Sequence, residues 1–160
     1  MADSEQRSRP LFALAFSTAL GVGYAPVAPG TFGSIVGLAL WMLMPGSPAV
    51  QGATIVFLFV VGSLTANAAE RHFGRTDPRQ VVIDEVMGML LTVFMIPVDI
   101  TGALLGFLTF RAADVVKPYP ANRLEKLHGG VGVMADDAMA AIYANLALRA
   151  MLALGRLVIE

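Results

Sequence analysis

The sequence carries two acid pairs in the same local frame. "IDEVMG" holds Asp84 and Glu85, "ADDAMA" holds Asp136 and Asp137, and both fit D-[DE]-x-M-[GA]. Between them, "FRAADVVKP" sets Arg111, Asp114 and Lys117 at i, i+3 and i+6, one broad face of a helix that Pro118 then stops. Carboxylates in a chain without cysteine are hard oxygen ligands, suited to Mg²⁺, which takes carboxylates, water and a substrate phosphate. Asp84, Glu85, Asp136 and Asp137 are thus the candidate metal ligands and catalytic acids. Arg111 and Lys117 can neutralise phosphate charge, with Asp114 either orienting Arg111 or joining the metal shell.

Three further groups belong with these. "PGTFGS" offers a helix N-terminus with Thr31 as cap and Gly30 beside it for a phosphate or glycerol oxygen, while Gly30 and Gly33 equally suit tight helix packing. "HGGVGV" is either an ordinary flexible turn or, through amides such as that of Gly130, an anion nest. His128 titrates near neutrality and is either a solvated loop residue or the group that protonates a leaving oxygen.

The elements that must position these residues are apolar. The chain is 56% hydrophobic and 14% charged, against about 25% charged in soluble domains, and no side chain from Leu11 to Ala69 carries a charge. The reading is an all-α polytopic membrane helix bundle, one domain over residues 1–160. Breaks at Gly and Pro predict about five transmembrane helices, near Thr31–Met44, Ala49–Ala69, Ile83–Ile96, Gly102–Lys117 and Asp136–Leu157. Leu11–Ala25 is short and ends in "GVGYAPVAPG", which predicts an interfacial or re-entrant helix rather than a sixth span. Residues 1–10 read as a cytoplasmic tail. The absence of cysteine excludes disulfides, iron–sulfur clusters and a cysteine nucleophile.

With that tail inside, every Lys and Arg except Arg149 and Arg156 falls on the inner side, which is the positive-inside pattern. Arg149 and Arg156 are expected to snorkel to the far interface. All the polar motifs then open or close helices at one end of the bundle. A carboxylate deep in a bilayer costs about 3 kcal/mol, and a helix N-terminus returns only about 0.3–1 kcal/mol. The acid pairs therefore need water or a cation.

The motifs "GVGYAPVAPGTFGS", "VIDEVMG", "FRAADVVKPYP" and "HGGVGVMADDAMA", in this order and over nearly the whole chain, resemble the phosphatidylglycerophosphatase A family of bacterial inner-membrane lipid phosphatases. The resemblance implies Mg²⁺-dependent hydrolysis of phosphatidylglycerophosphate to phosphatidylglycerol and phosphate at the cytoplasmic face of a multi-pass protein. The partners it implies are that lipid and the surrounding membrane lipids, with no nucleic acid; the oligomeric state stays open. Metal-assisted attack by water fits the residues, and an aspartyl-phosphate on Asp84 or Asp136 is the alternative. A small transporter or channel with an acidic cation site is the rival reading, and a non-catalytic membrane scaffold a third.

Overall fold

A computed structural model describes residues 11–127 and 129–159, with side chains described as far as Gly155. Every regular element among these residues is helical. Residues 11–17 form α1, and a 3₁₀ turn follows at Val22–Tyr24. The others are α2 (Pro29–Leu43), α3 (Pro48–Phe73), α4 (Ile83–Val93), α5 (Ile100–Val116), α6 (Ala121–Leu124) and α7 (Gly130–Ile159).

Local chemistry explains the boundaries. Proline occupies the first turn of both α2 and α3, where its missing N–H is no loss. Gly74, with φ 66°, ends α3 and donates its N–H to the Glu70 carbonyl. Asp99 caps α5 by accepting the Gly102 N–H at 2.8 Å, and Lys117 closes that helix in left-handed backbone ahead of Pro118.

Of the five expected spans, two rest on helices long and apolar enough to cross a membrane: α3, and α7 over Gly130–Gly155. The 26 residues of α3 reach roughly 39 Å, beyond a ~30 Å hydrocarbon core. By contrast, α2 has 15 residues, α5 has 17 and α4 only 11, so the expectation of five full spans is not met by helix length. The reason lies in the position of α4. Nine of its 11 residues are buried between α2, α3, α5 and α7, so it meets neighbouring helices on nearly every side.

The C-terminal end of this helix, about 16 Å long, leaves carbonyls without partners in the helix itself. Asn145 of α7 supplies the donors, its Nδ2 reaching the carbonyls of Leu91, Thr92 and Phe94 at 3.1, 2.9 and 3.0 Å. Arg149 adds Nη2 bonds to the Phe94 and Met95 carbonyls, both at 3.2 Å. Arg149 was expected to reach the far interface, and its guanidinium lies against the C-terminal end of α4. Arg156 lies beyond the described side chains.

Packing of α2 on α4 is close because α2 presents glycines. A Cβ on Gly37 would stand 2.6 Å from the Val86 carbonyl. At the N-terminal side, the Ser17 carbonyl accepts the Val82 N–H at 2.9 Å, which ties α1 to the segment leading into the first acid pair. After residue 17 the chain turns through left-handed Ala19 and Leu20, so the described part of Leu11–Ala25 is a short helix and a turn. The expected cytoplasmic tail at residues 1–10, with Arg7 and Arg9, lies outside the described residues.

Candidate active site

The helix ends named by the sequence converge. Gly30 at the start of α2 sits against Glu85 in the first turn of α4 and against Arg111 late in α5. Asn67, late in α3, meets Gly130 at the start of α7. At their meeting point, Asp84, Glu85 and Asp137 each offer a carboxylate oxygen, and these oxygens all lie within 4.8 Å of one another. Asp84 and Asp137 are buried, 7% and 3% exposed.

Each of the three acids has an oxygen sealed from solvent with no hydrogen-bond donor: Asp84 Oδ1, Glu85 Oε2 and Asp137 Oδ2. Buried acceptors left unsatisfied are expensive, and three facing carboxylates add mutual repulsion. A hard divalent cation removes both costs, and an all-oxygen donor set of this spacing fits one. The site can hold a metal ion on Asp84, Glu85 and Asp137.

Asp136 was expected in the same ligand set. Its carboxylate points elsewhere, because neighbouring residues on a helix diverge by about 100°. Asp136 Oδ2 accepts from Lys117 Nζ at 2.7 Å, and its other oxygen, Oδ1, is buried without a donor. Lys117 is shared with Glu125 Oε1 at 3.1 Å. Burial alone would lower the Lys117 pKa, but the Asp136 and Glu125 carboxylates hold it above the usual lysine value.

Arg111 forms the second cationic point. Its Nη1 lies 2.8 Å from Asp114 Oδ2 and 3.9 Å from Glu85 Oε1, and it donates to Ser34 Oγ at 3.5 Å. Asp114 thus pairs with Arg111. A side chain at Gly30 would collide with the Glu85 carboxylate.

Three expectations change. Thr31 is not the cap of α2: the helix starts at Pro29, Ala28 precedes it in left-handed backbone, and the Thr31 N–H bonds to the Ala28 carbonyl. The last helix begins at Gly130, six residues before Asp136, so the second acid pair lies in its second turn and does not open the helix. Gly130 accordingly packs on α3, where a Cβ would strike the Ser63 carbonyl, and its N–H goes to Asn67 Oδ1 at 3.4 Å. That amide is not free for an anion nest. His128 lies outside the described residues.

Ser34, Glu125 and Asn67 were not singled out from the sequence. Ser34 had a visible signal, since it falls one helical turn after Gly30. Glu125 and Asn67 had none, because their roles depend on chain reversals between distant helices.

A family model described as "Phosphatidylglycerophosphatase A" matches residues 15–152, which include all four motifs in full. A protein of that name from Escherichia coli is 33% identical over 125 residues, covering 76% of this chain and 73% of its own. Its Haemophilus influenzae namesake is 34% identical over 128 residues, 78% of each chain. A Bacteroides thetaiotaomicron protein named "Putative phosphatidylinositol-3-phosphatase" is 35% identical over 145 residues, 84% of this chain and 91% of its own. No solved structure matches. Buried acids, paired cations and a match over most of the sequence agree: the chain belongs to the phosphatidylglycerophosphatase A family and is a phosphatase.

Proposed function

We propose that this phosphatase hydrolyses phosphatidylglycerophosphate to phosphatidylglycerol and inorganic phosphate. The observation that carries the reading is the carboxylate triad Asp84, Glu85 and Asp137 beside Arg111 at one end of an apolar bundle. The substrate's acyl chains stay in the bilayer, so acids held at helix ends suit a headgroup phosphate. The names of the Escherichia coli and Haemophilus influenzae relatives support that headgroup.

The triad is the proposed Mg²⁺ site. A divalent ion bound there would supply Lewis-acid polarisation of the phosphoryl group and acidify water. Arg111 and Lys117 neutralise the phosphate, and Asp114 and Asp136 hold those cations in place. Thr31, at the start of α2, is assigned to the glycerol side of the headgroup. The bond from phosphorus to the glycerol oxygen breaks as a water oxygen bonds to phosphorus. His128, two residues before α7, is assigned the proton that the leaving oxygen takes up.

In this reading α2, α3, α4, α5 and α7 all sit within the bacterial inner membrane, with the short α4 sheltered by the rest. The active site faces the cytoplasm, as the distribution of Lys and Arg supports. The transporter reading has lost its support: the acids gather at helix ends, and the family is one of enzymes.

A second headgroup is favoured by one observation, the name of the Bacteroides thetaiotaomicron relative. The test is phosphate release by the purified protein in detergent micelles with Mg²⁺. Phosphatidylglycerophosphate and phosphatidylinositol 3-phosphate are offered separately. Faster release from the first supports the proposal; release from the second alone transfers the activity to inositol lipids.

A further inference from the structure

Arg111 is held in an unusual way. Its ion-pair contacts with Asp114 and Glu85 and its hydrogen bond to Ser34 run through Nη1, and among the described residues no hydrogen bond engages Nε or Nη2. One edge of the guanidinium is thus fixed while the other stays available. A guanidinium edge presents parallel N–H donors, the pattern that matches two oxygens of a phosphate.

The neutral member of this clamp is Ser34. It is fully buried on α2, and its hydroxyl proton is committed to the Gly30 carbonyl at 3.0 Å. Its lone pairs are therefore left for Arg111 Nη1, at 3.5 Å. Asp114 and Glu85 attract the Arg111 charge but accept from several directions. Ser34, back-bonded one turn down its own helix, has its donor committed and its acceptor side turned to Arg111.

We propose that Ser34 is a positioning residue for phosphate recognition: it fixes the Nη1 edge of Arg111 so that Nε and Nη2 face a phosphomonoester. The inference rests on reading Arg111 as a phosphate-binding residue of the proposed site. Glycine at position 30 serves the same arrangement, since a Cβ there would lie 3.3 Å from Nη1 as well as striking Glu85.

The experiment uses the full-length protein in detergent with Mg²⁺ and four variants: Ser34→Ala, Ser34→Cys, Arg111→Lys and the double variant Ser34→Ala/Arg111→Lys. Affinity for inorganic phosphate is measured by calorimetry, and kcat and KM by phosphate release from phosphatidylglycerophosphate. Ser34→Ala should weaken phosphate binding and raise KM, each about tenfold, as expected for one hydrogen bond to a charged group. The kcat should stay within about threefold, and Ser34→Cys, a poorer acceptor of similar size, should shift binding and KM in the same direction. In the Arg111→Lys background, Ser34→Ala should change phosphate affinity less than about twofold, because the fork it positions is gone.

A merely structural serine would give the same loss in both backgrounds, and that result overturns the inference. So does wild-type phosphate affinity and KM in both Ser34 variants, or a wild-type protein that binds no phosphate. Should the wild type bind phosphate with this Ser34 dependence yet release none from the lipid, the substrate assignment fails and the role of Ser34 stands.

Discussion

Lys117 Nζ lies 2.7 Å from Asp136 Oδ2, while Asp137, the next residue along α7, turns its carboxylate to Asp84 and Glu85. Two adjacent acids of one motif therefore do different work. One holds a cation of the protein; the other helps form a pocket that fits a cation from solution.

That division predicts unequal variants. Asp137→Asn should lower turnover at least roughly 100-fold, as for the loss of one preorganised electrostatic group, with the unfolding temperature little changed or raised. Asp136→Asn should act mainly on stability, by about 1–3 kcal/mol, below the full figure for a broken buried pair because Glu125 still faces Lys117. Steady-state phosphate release and thermal unfolding in detergent check both. Equal effects of the two variants on turnover would contradict the division.

Lys117 gives a pH prediction. Its folded pKa is raised, so its contribution to stability is fully present below the unfolded lysine value of about 10.4 and is lost as pH rises through the higher folded value. Unfolding temperature followed upward from pH 8 should thus show no Lys117-dependent decline until well above pH 10. Lys117→Met should be less stable than wild type at pH 8, and the difference should shrink at the alkaline extreme. A gap between the two that is constant from pH 8 to the alkaline end would refute this.

Much of the site was legible because the chain is so apolar that polar residues stand out. Asp84, Glu85, Asp137, Arg111 and Asp114 were all named by type and spacing, and they meet. What the sequence hid was helical phase and long-range closure. The run "GGVGV" reads as a turn on local propensity, yet from Gly130 onward it is the first turn of α7, because Gly130 lets α7 approach the Ser63 carbonyl of α3. The start of α7 then decides which of Asp136 and Asp137 faces the triad. The partnership of Lys117 with Glu125 depends on the reversal through Pro118 and α6, which no periodicity reports.

Asn145 offers a check on the fold apart from the chemistry. It donates to three carbonyls at the end of α4, so Asn145→Leu should destabilise the protein by about 1–3 kcal/mol, the cost of orphaning buried acceptors. The folded fraction should keep wild-type KM, since Asn145 stands at the far end of α4 from the acid pair. Denaturant unfolding and KM, measured on the same preparation, separate the two effects. A raised KM with unchanged stability would contradict this role.

Arg111 is expected to tolerate little. Replacement by Lys keeps the charge but not the fork, and should lower kcat/KM by about 10–100-fold. Arg111→Ala should lose more and also destabilise, since Asp114 and Glu85 are then left facing each other without their cation. Kinetics and unfolding of the two variants side by side test the order; an Arg111→Lys enzyme with wild-type kcat/KM would remove the guanidinium from phosphate binding.

The central claim, a divalent ion held by Asp84, Glu85 and Asp137 for phosphate ester hydrolysis, is tested most directly by one assay. Phosphate release from phosphatidylglycerophosphate is followed for wild type, Asp84→Asn and Asp137→Asn, first with a chelator and then with Mg²⁺ restored. The account predicts that the chelator stops wild-type release, that Mg²⁺ restores it, and that neither variant recovers. Undiminished release in the chelator, or wild-type rates in both variants, would contradict it.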